Sequence, residues 1–306
     1  MSTDSSQAKS IHSCINYLTI ECNYICGSKS QKYIDLFSQI ATQAFEEIAK
    51  CDAPYHNLEH TLLVVLTGQE ILSGKNICGE SISPKEWFDF MVSLVCHDIG
   101  YIKGVCLGDN VLDSKFVTGT DNQTIAIPVS STGARLTHYH VDRSKLYVKE
   151  KLSQYDLVDI KSIQFNIEFT RFPASQEEIY KDTISLPGLA RASDLIGQLS
   201  DPSYLAKLPA LFSEFEETES NKALGYVTPK DLRSGYPRFY WHCVYPYLRH
   251  SIRYLEMSQA GQAILSNLYN NRDIVEKELV SLYASDSNIF RRLFKSLFEK
   301  SSRNFV

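Results

Sequence analysis

His56 and His60 in Tyr55-His56-Asn57-Leu58-Glu59-His60, the adjacent pair His97-Asp98, and Asp194 in Ala192-Ser193-Asp194-Leu195 are the residues of this 306-residue chain best equipped for chemistry. His60, His97, Asp98 and Asp194 offer two imidazoles and two carboxylates. Such a mixed nitrogen and oxygen set suits a divalent transition metal, and a bridging carboxylate extends it to a second cation. The set points to a metal-dependent hydrolase. Hydrolysis of a phosphoester needs an activated water, neutralised phosphoryl oxygens and a protonated leaving group. A metal pair bridged by Asp98 would supply the first two. His56 would supply the third, because an imidazole of ordinary pKa, about 6.5, exchanges its proton near neutrality. His56 and Asp98 are therefore the expected catalytic residues, with Glu59 or Glu168 expected to orient His56.

These residues must be carried by helices. Tyr33, Ile34, Phe37, Ile40, Ala41, Ala44, Phe45 and Ile48 recur at three- and four-residue spacing and predict a helix over about 31–50. A second helix is predicted from Tyr55 to Leu72, with His56 and His60 on one face. Ser83-Pro84-Lys85-Glu86 combines a Ser cap, a first-turn Pro and a Glu three after the cap. The helix it starts should reach Cys96 and end at Gly100, placing His97-Asp98 in its last turn. Phe116–Thr118 and Thr124–Ile127 read as two short strands around a turn, a flap over the site. Ser185 and Pro187 start a helix over Leu186–Leu199 that carries Asp194, and Asp201-Pro202 starts the next. Residues from about 236 to 300 read as helical and rich in aromatics. The polar, Ser-rich beginning predicts a flexible or loosely packed segment over 1–30, followed by a single helical domain over 31–306 with an insertion near 105–137.

Hydrophobic content of 43% and charged content of 22% are those of a folded globular chain. The net charge of -5 offers no global attraction for a nucleic-acid polymer or an anionic membrane, so neither is an expected partner. No signal-like segment stands at the N-terminus, and no run approaches the roughly 20 apolar residues of a membrane span, which makes the cytoplasm the expected compartment. The eight cysteines are scattered, without paired clusters for structural zinc, and most are expected to be reduced core residues.

In chain order the ligands run His, His-Asp, Asp, and that order and spread resemble the HD superfamily of metal-dependent phosphohydrolases. More narrowly, Tyr55-His56-Asn57-Leu58-Glu59-His60 resembles the His-Asn-x-x-His signature of the cyclic-nucleotide phosphodiesterase catalytic domain. The resemblance implies an all-α fold, an HD-domain or phosphodiesterase-like helical bundle with a small β-hairpin insertion. It implies His60, His97, Asp98 and Asp194 as ligands of one or two divalent ions (zinc, magnesium, manganese or iron) and His56 as proton donor. The substrate it implies is a small-molecule phosphoester, nucleotide-like ones included, hydrolysed by a phosphodiesterase reaction. Ile167-Glu168-Phe169-Thr170, the segment from Asp194 to Phe215, and Phe239, Val244 and Pro246 extend the likeness over about residues 35 to 255. The chain departs from it at Tyr236, where those enzymes place a Gln against the purine, and at Tyr101, where they carry a His. A Tyr lacks the paired donor and acceptor of an amide, which leaves purine recognition open.

Tyr55, Asn57, Tyr101, Lys103, His138, His140, Arg171, Tyr236 and Phe239 are the candidates for contact with substrate. His138 and His140 also admit an alternative, an HD-type diiron oxygenase in which one of them binds a second iron. Two residues apart, they point to different faces in a helix and to one face in a strand, and at most one is expected to reach the substrate. A non-catalytic module that senses a small ligand is the remaining alternative, motivated by Tyr236 and by Tyr101.

Overall fold

Helix boundaries in this chain are set by a few capping side chains. The computed structural model describes residues 2–121 and 123–283. In chain order it contains α1 (Ser2–Cys26), α2 (Gln31–Ile48), α3 (Leu58–Ile77), α4 (Pro84–Cys96), β1 (Lys115–Val117), β2 (Thr124–Ala126), α5 (His140–Leu152), α6 (Ile160–Phe169), α7 (Leu186–Leu199), α8 (Tyr204–Glu217), α9 (Ser220–Leu224), α10 (Pro229–Phe239), α11 (Tyr245–Leu255) and α12 (Gln259–Tyr283). The fold is all-α with one small hairpin. Ser83 and Glu86 form a reciprocal capping box at the start of α4, with Pro84 in the first turn, as their spacing predicts. At α3 the outcome differs from the sequence reading. Asn57 is extended, at φ -134° and ψ -175°, and its side chain accepts from the backbone N–H groups of Glu59 and His60. The helix therefore begins at Leu58 rather than Tyr55, and His56 lies outside it.

α3 runs through the middle of the bundle and packs most extensively on α7. The two helices approach closely because α7 carries Gly197, where a Cβ would fall 2.8 Å from the Cα of Val64. Val64 is one turn beyond His60, and Gly197 nearly one turn beyond Asp194. The close approach of the two backbones is thus what brings those two side chains together.

The N-terminal segment corrects the expectation of flexibility over 1–30. α1 buries Ile11, Cys14, Leu18 and Cys22 against the main core, at helical spacing, and the Tyr17 hydroxyl donates to Glu70 of α3. The Ser-rich first residues dominate the composition of this stretch, but its apolar stripe decides its fate. Burying a large aliphatic side chain contributes about 1.5–3 kcal/mol, enough to offset ordering.

The insertion pairs β1 and β2 in antiparallel register, Phe116 opposite Ile125, and Phe116, Ile127 and Leu136 form a small apolar cluster of its own. The insertion is anchored to the helical bundle. Asp109 of the insertion meets Arg143 of α5 in a two-pronged ion pair, both contacts 2.9 Å long, with neither side chain exposed. Arg143 also donates to the carbonyls of Gly100, Ile102 and Val117, so one guanidinium joins α5, the hairpin and the turn after His97-Asp98.

α10 passes into α11 through a single π-helical turn, Tyr240–Val244. Pro246, in the first turn of α11, has no N–H to offer the preceding turn, which favours this wider winding. The predicted helical region beyond residue 283 lies outside the described residues. Among the described residues no helix is long and apolar enough to cross a membrane.

Candidate metal centre

Three elements converge on one point. α3 supplies His60 from its first turn, and α7 supplies Asp194. The chain leaving α4 supplies His97 and then Asp98, the latter at φ -106° and ψ 4°, in the sparsely populated bridge region where active-site residues recur. Gly100 contributes differently from the sequence reading. It is not a left-handed cap; a Cβ there would fall 2.0 Å from the carbonyl oxygen of His140, so its role is to let this turn abut the start of α5. Ser144 of α5 clamps the turn by donating to the His97 carbonyl and accepting from the Gly100 N–H.

Asp98 Oδ2 lies 3.2 Å from Nε2 of both His60 and His97, and Asp194 Oδ1 lies 3.4 and 3.6 Å from the same two nitrogens. Each imidazole nitrogen thus faces a carboxylate oxygen from two sides, a nitrogen and oxygen donor set of the kind that binds zinc. The contacts have the lengths of hydrogen bonds without their alignment: Nε2 of His60, Nε2 of His97 and Oδ2 of Asp98 are all buried and unpartnered. Each such orphan costs about 1–3 kcal/mol, which a shared cation would recover. The tautomer fits as well. His97 Nδ1 is 2.7 Å from the Leu94 carbonyl and must donate to it, leaving the Nε2 lone pair turned to the carboxylates. Among the described residues, His60, His97 and Asp98 form the group of His, Cys, Asp and Glu side chains that could hold a metal ion. Asp194 lies against that group.

Electrostatics express the same demand for positive charge. Burial disfavours ionised His97, yet the Asp98 and Asp194 carboxylates raise its pKa well above the ordinary 6.5. Burial likewise opposes the Asp194 charge, but His60 and His97 hold that carboxyl at about 2, and Asp98 is held well below its usual range by His97 and His60. A proton and a cation compete for this centre.

His56 stands beside it, with its ring centroid 5.4 Å from that of His60. Its partner is neither Glu59, which pairs with Lys207, nor Glu168, which pairs with Lys145 and Arg171. It is Glu214 of α8, 2.5 Å from His56 Nδ1, which also accepts from the backbone N–H groups of Tyr55 and His56. Burial lowers the imidazole's proton affinity, but Glu214, with Asp98 and Asp194 behind it, raises the pKa to about 9. His56 is thereby charged at neutrality, with Nε2 left to transfer a proton.

The other predicted residues divide. Tyr101 is buried between two rings, stacked on His56 at 4.7 Å and on His140 at 4.5 Å, so neither of its faces is open to substrate. His140 Nδ1 is held by the Thr137 carbonyl at 2.6 Å, and its Nε2 lies 3.7 Å from Asp98 Oδ1, the carboxylate oxygen turned away from the four-ligand centre. His138 is exposed. Tyr55 is buried edge-on to His56 and Tyr204. Asn57 is spent on its cap. Lys103 is paired with Asp52 at 2.7 Å and Arg171 with Glu168 and Asp142. Tyr236 lies behind Tyr204 with its hydroxyl sealed from solvent, and Phe239 packs edge-on to Phe172.

Glu214, Arg143 and Ser144 are the residues that the sequence reading missed. Only Glu214 left a trace: it is a carboxylate three residues after Leu211 and six after Leu208, inside the buried stripe of α8.

An all-α bundle with a two-imidazole, two-carboxylate cluster defines a helical protein with a candidate metal centre. A family model described as Npun_R2479-like matches residues 5–278, and the chain belongs to that family. No curated protein matches the chain.

Proposed function

We propose that this protein is a metal-dependent phosphohydrolase of the HD type, acting as a phosphodiesterase on a small phosphoester in the cytoplasm. The observation that carries the reading is the placement of His60 Nε2 and His97 Nε2, each 3.2 to 3.6 Å from both Asp98 Oδ2 and Asp194 Oδ1, beside an acid-base dyad. These four residues would hold a divalent ion, with Asp98 Oδ1 and His140 Nε2 available to a second. When bound, the metal supplies an activated water and neutralises phosphoryl charge. His56 gives the proton on Nε2 to the leaving oxygen, while Glu214 fixes its ring and sustains its charged form. The eight free thiols fit a reducing compartment.

The test is a metal-supplemented hydrolysis screen across cyclic nucleotides, linear nucleotides and simple phosphodiesters, with His56→Ala as control. His97→Ala and Asp98→Ala should lose metal and activity together, and full activity in a metal-free preparation would sink the proposal. His140 beside Asp98 favours one second reading, a diiron oxygenase. An iron-specific spectrum with oxygen consumption and no hydrolysis would select it.

A further inference from the structure

Tyr101 is a large, fully enclosed aromatic in the least expected place, between two histidines of the site. Its ring lies 4.7 Å from that of His56 at an interplanar angle of 11°, and 4.5 Å from that of His140 at 19°. Three near-parallel rings thus form one stack. Each outer ring is tethered at Nδ1, His56 to Glu214 at 2.5 Å and His140 to the Thr137 carbonyl at 2.6 Å. One hydrogen bond leaves an imidazole free to swing about it, and a flat neighbour on one face removes that freedom. Tyr101 is itself held by the turn that Arg143 and Ser144 clamp.

The geometry points to Tyr101 as a positioning residue whose ring, rather than its hydroxyl, aims both His56 and His140 at the centre. It stands on the phosphohydrolase reading, and deepens it by making the proton donor and the second-ion ligand one rigid unit. Removing the ring loosens both imidazoles without touching the four-ligand centre. Misplacing a reacting group by about 1 Å costs up to about a hundredfold in rate.

The test compares Tyr101→Phe, which keeps the ring, with Tyr101→Leu and Tyr101→Met, which remove it, all in the full chain. In the zinc-loaded protein with bis(p-nitrophenyl) phosphate as probe, Leu and Met should lower kcat by about tenfold to a hundredfold with KM nearly unchanged, and Phe should restore it. In metal-free protein labelled with 15N-histidine, the hydrogen-bonded Nδ1 protons of His56 and His140 should persist in the wild type and in Tyr101→Phe. In Tyr101→Leu and Tyr101→Met they should broaden away. Retention of both protons and of kcat in a folded ring-less variant overturns the assignment, and so does a Phe variant as impaired as Leu. A wild type that holds both protons but turns over no phosphoester refutes the hydrolase reading alone, and the resonance arm still decides the role of Tyr101.

Discussion

Glu214→Gln isolates the charge that sustains His56. Gln keeps an oxygen for the Tyr55 and His56 N–H groups but removes the negative charge 2.5 Å from Nδ1. In the wild type the imidazole is raised from 6.5 to about 9 in spite of burial, chiefly by Glu214 and secondarily by Asp98 and Asp194. A shift of that size corresponds to about 3.5 kcal/mol at about 1.4 kcal/mol per pKa unit, the carboxylate attractions less the opposing burial. A cation at the centre would cancel the Asp98 and Asp194 shares, leaving the Glu214 share as the part that survives loading. In the zinc-loaded Glu214→Gln protein His56 should therefore titrate at or below 6.5, because burial then acts unopposed. At pH 7.5 the protonated fraction should fall from nearly all to about one tenth. The sign for stability follows from linkage. The folded pKa lies above the unfolded one, so the contribution is complete below about 6.5 and is lost as pH rises through 9. Glu214→Gln should therefore destabilise the protein by about 2–3 kcal/mol at pH 6 and by little at pH 10. The assays are an NMR titration of the His56 ring and urea unfolding at both pH values. An unmoved His56 titration, or an equal loss of stability at pH 6 and pH 10, would refute the reasoning.

Three further outcomes can be measured. Gly197→Ala places a methyl 2.8 Å from Val64 Cα and should destabilise the fold by about 1–3 kcal/mol, weakening zinc binding as Asp194 moves away from His60; calorimetric titration beside urea unfolding checks both. Arg143→Met leaves Asp109 buried without a counter-charge and should cost about 3–5 kcal/mol, with part of the loss recovered when Asp109→Asn is added; a fully additive double variant would show that the pair is not coupled. Zinc binding should tighten by about tenfold per pH unit while His97 holds its raised proton, since binding must release it, and then level off; a dissociation constant unchanged between pH 6 and pH 8 would contradict the competition between proton and cation.

Much of the site was legible because its signals are local. The capping box at Ser83 needs only four residues, and the ligand types of His60, His97, Asp98 and Asp194 need none of their surroundings. Boundaries set by one side chain were harder. Asn57 reads equally well as a substrate contact or as a helix start, and its choice of the cap moved His56 off α3. In α1, a Ser-rich beginning concealed a stripe that becomes apolar core only when α2 and α3 are there to cover it.

The sequence by itself determined which chemistry is available: two imidazoles and two carboxylates for a cation, a further His for proton transfer, and helices to carry them. Only the tertiary structure decided which groups serve one another. Glu214 and His56 are 158 residues apart, and nothing in either neighbourhood names the other. His140 rather than His138 faces Asp98 because the helix begins there, one residue after Tyr139, with Thr137 holding the ring. Tyr101 became an enclosed spacer rather than a substrate contact because α5 and the loop before α3 close over its two faces. Pairing across long separations is set by which helix faces can approach, and here Gly197 and Gly100 permit that approach by having no side chain at all.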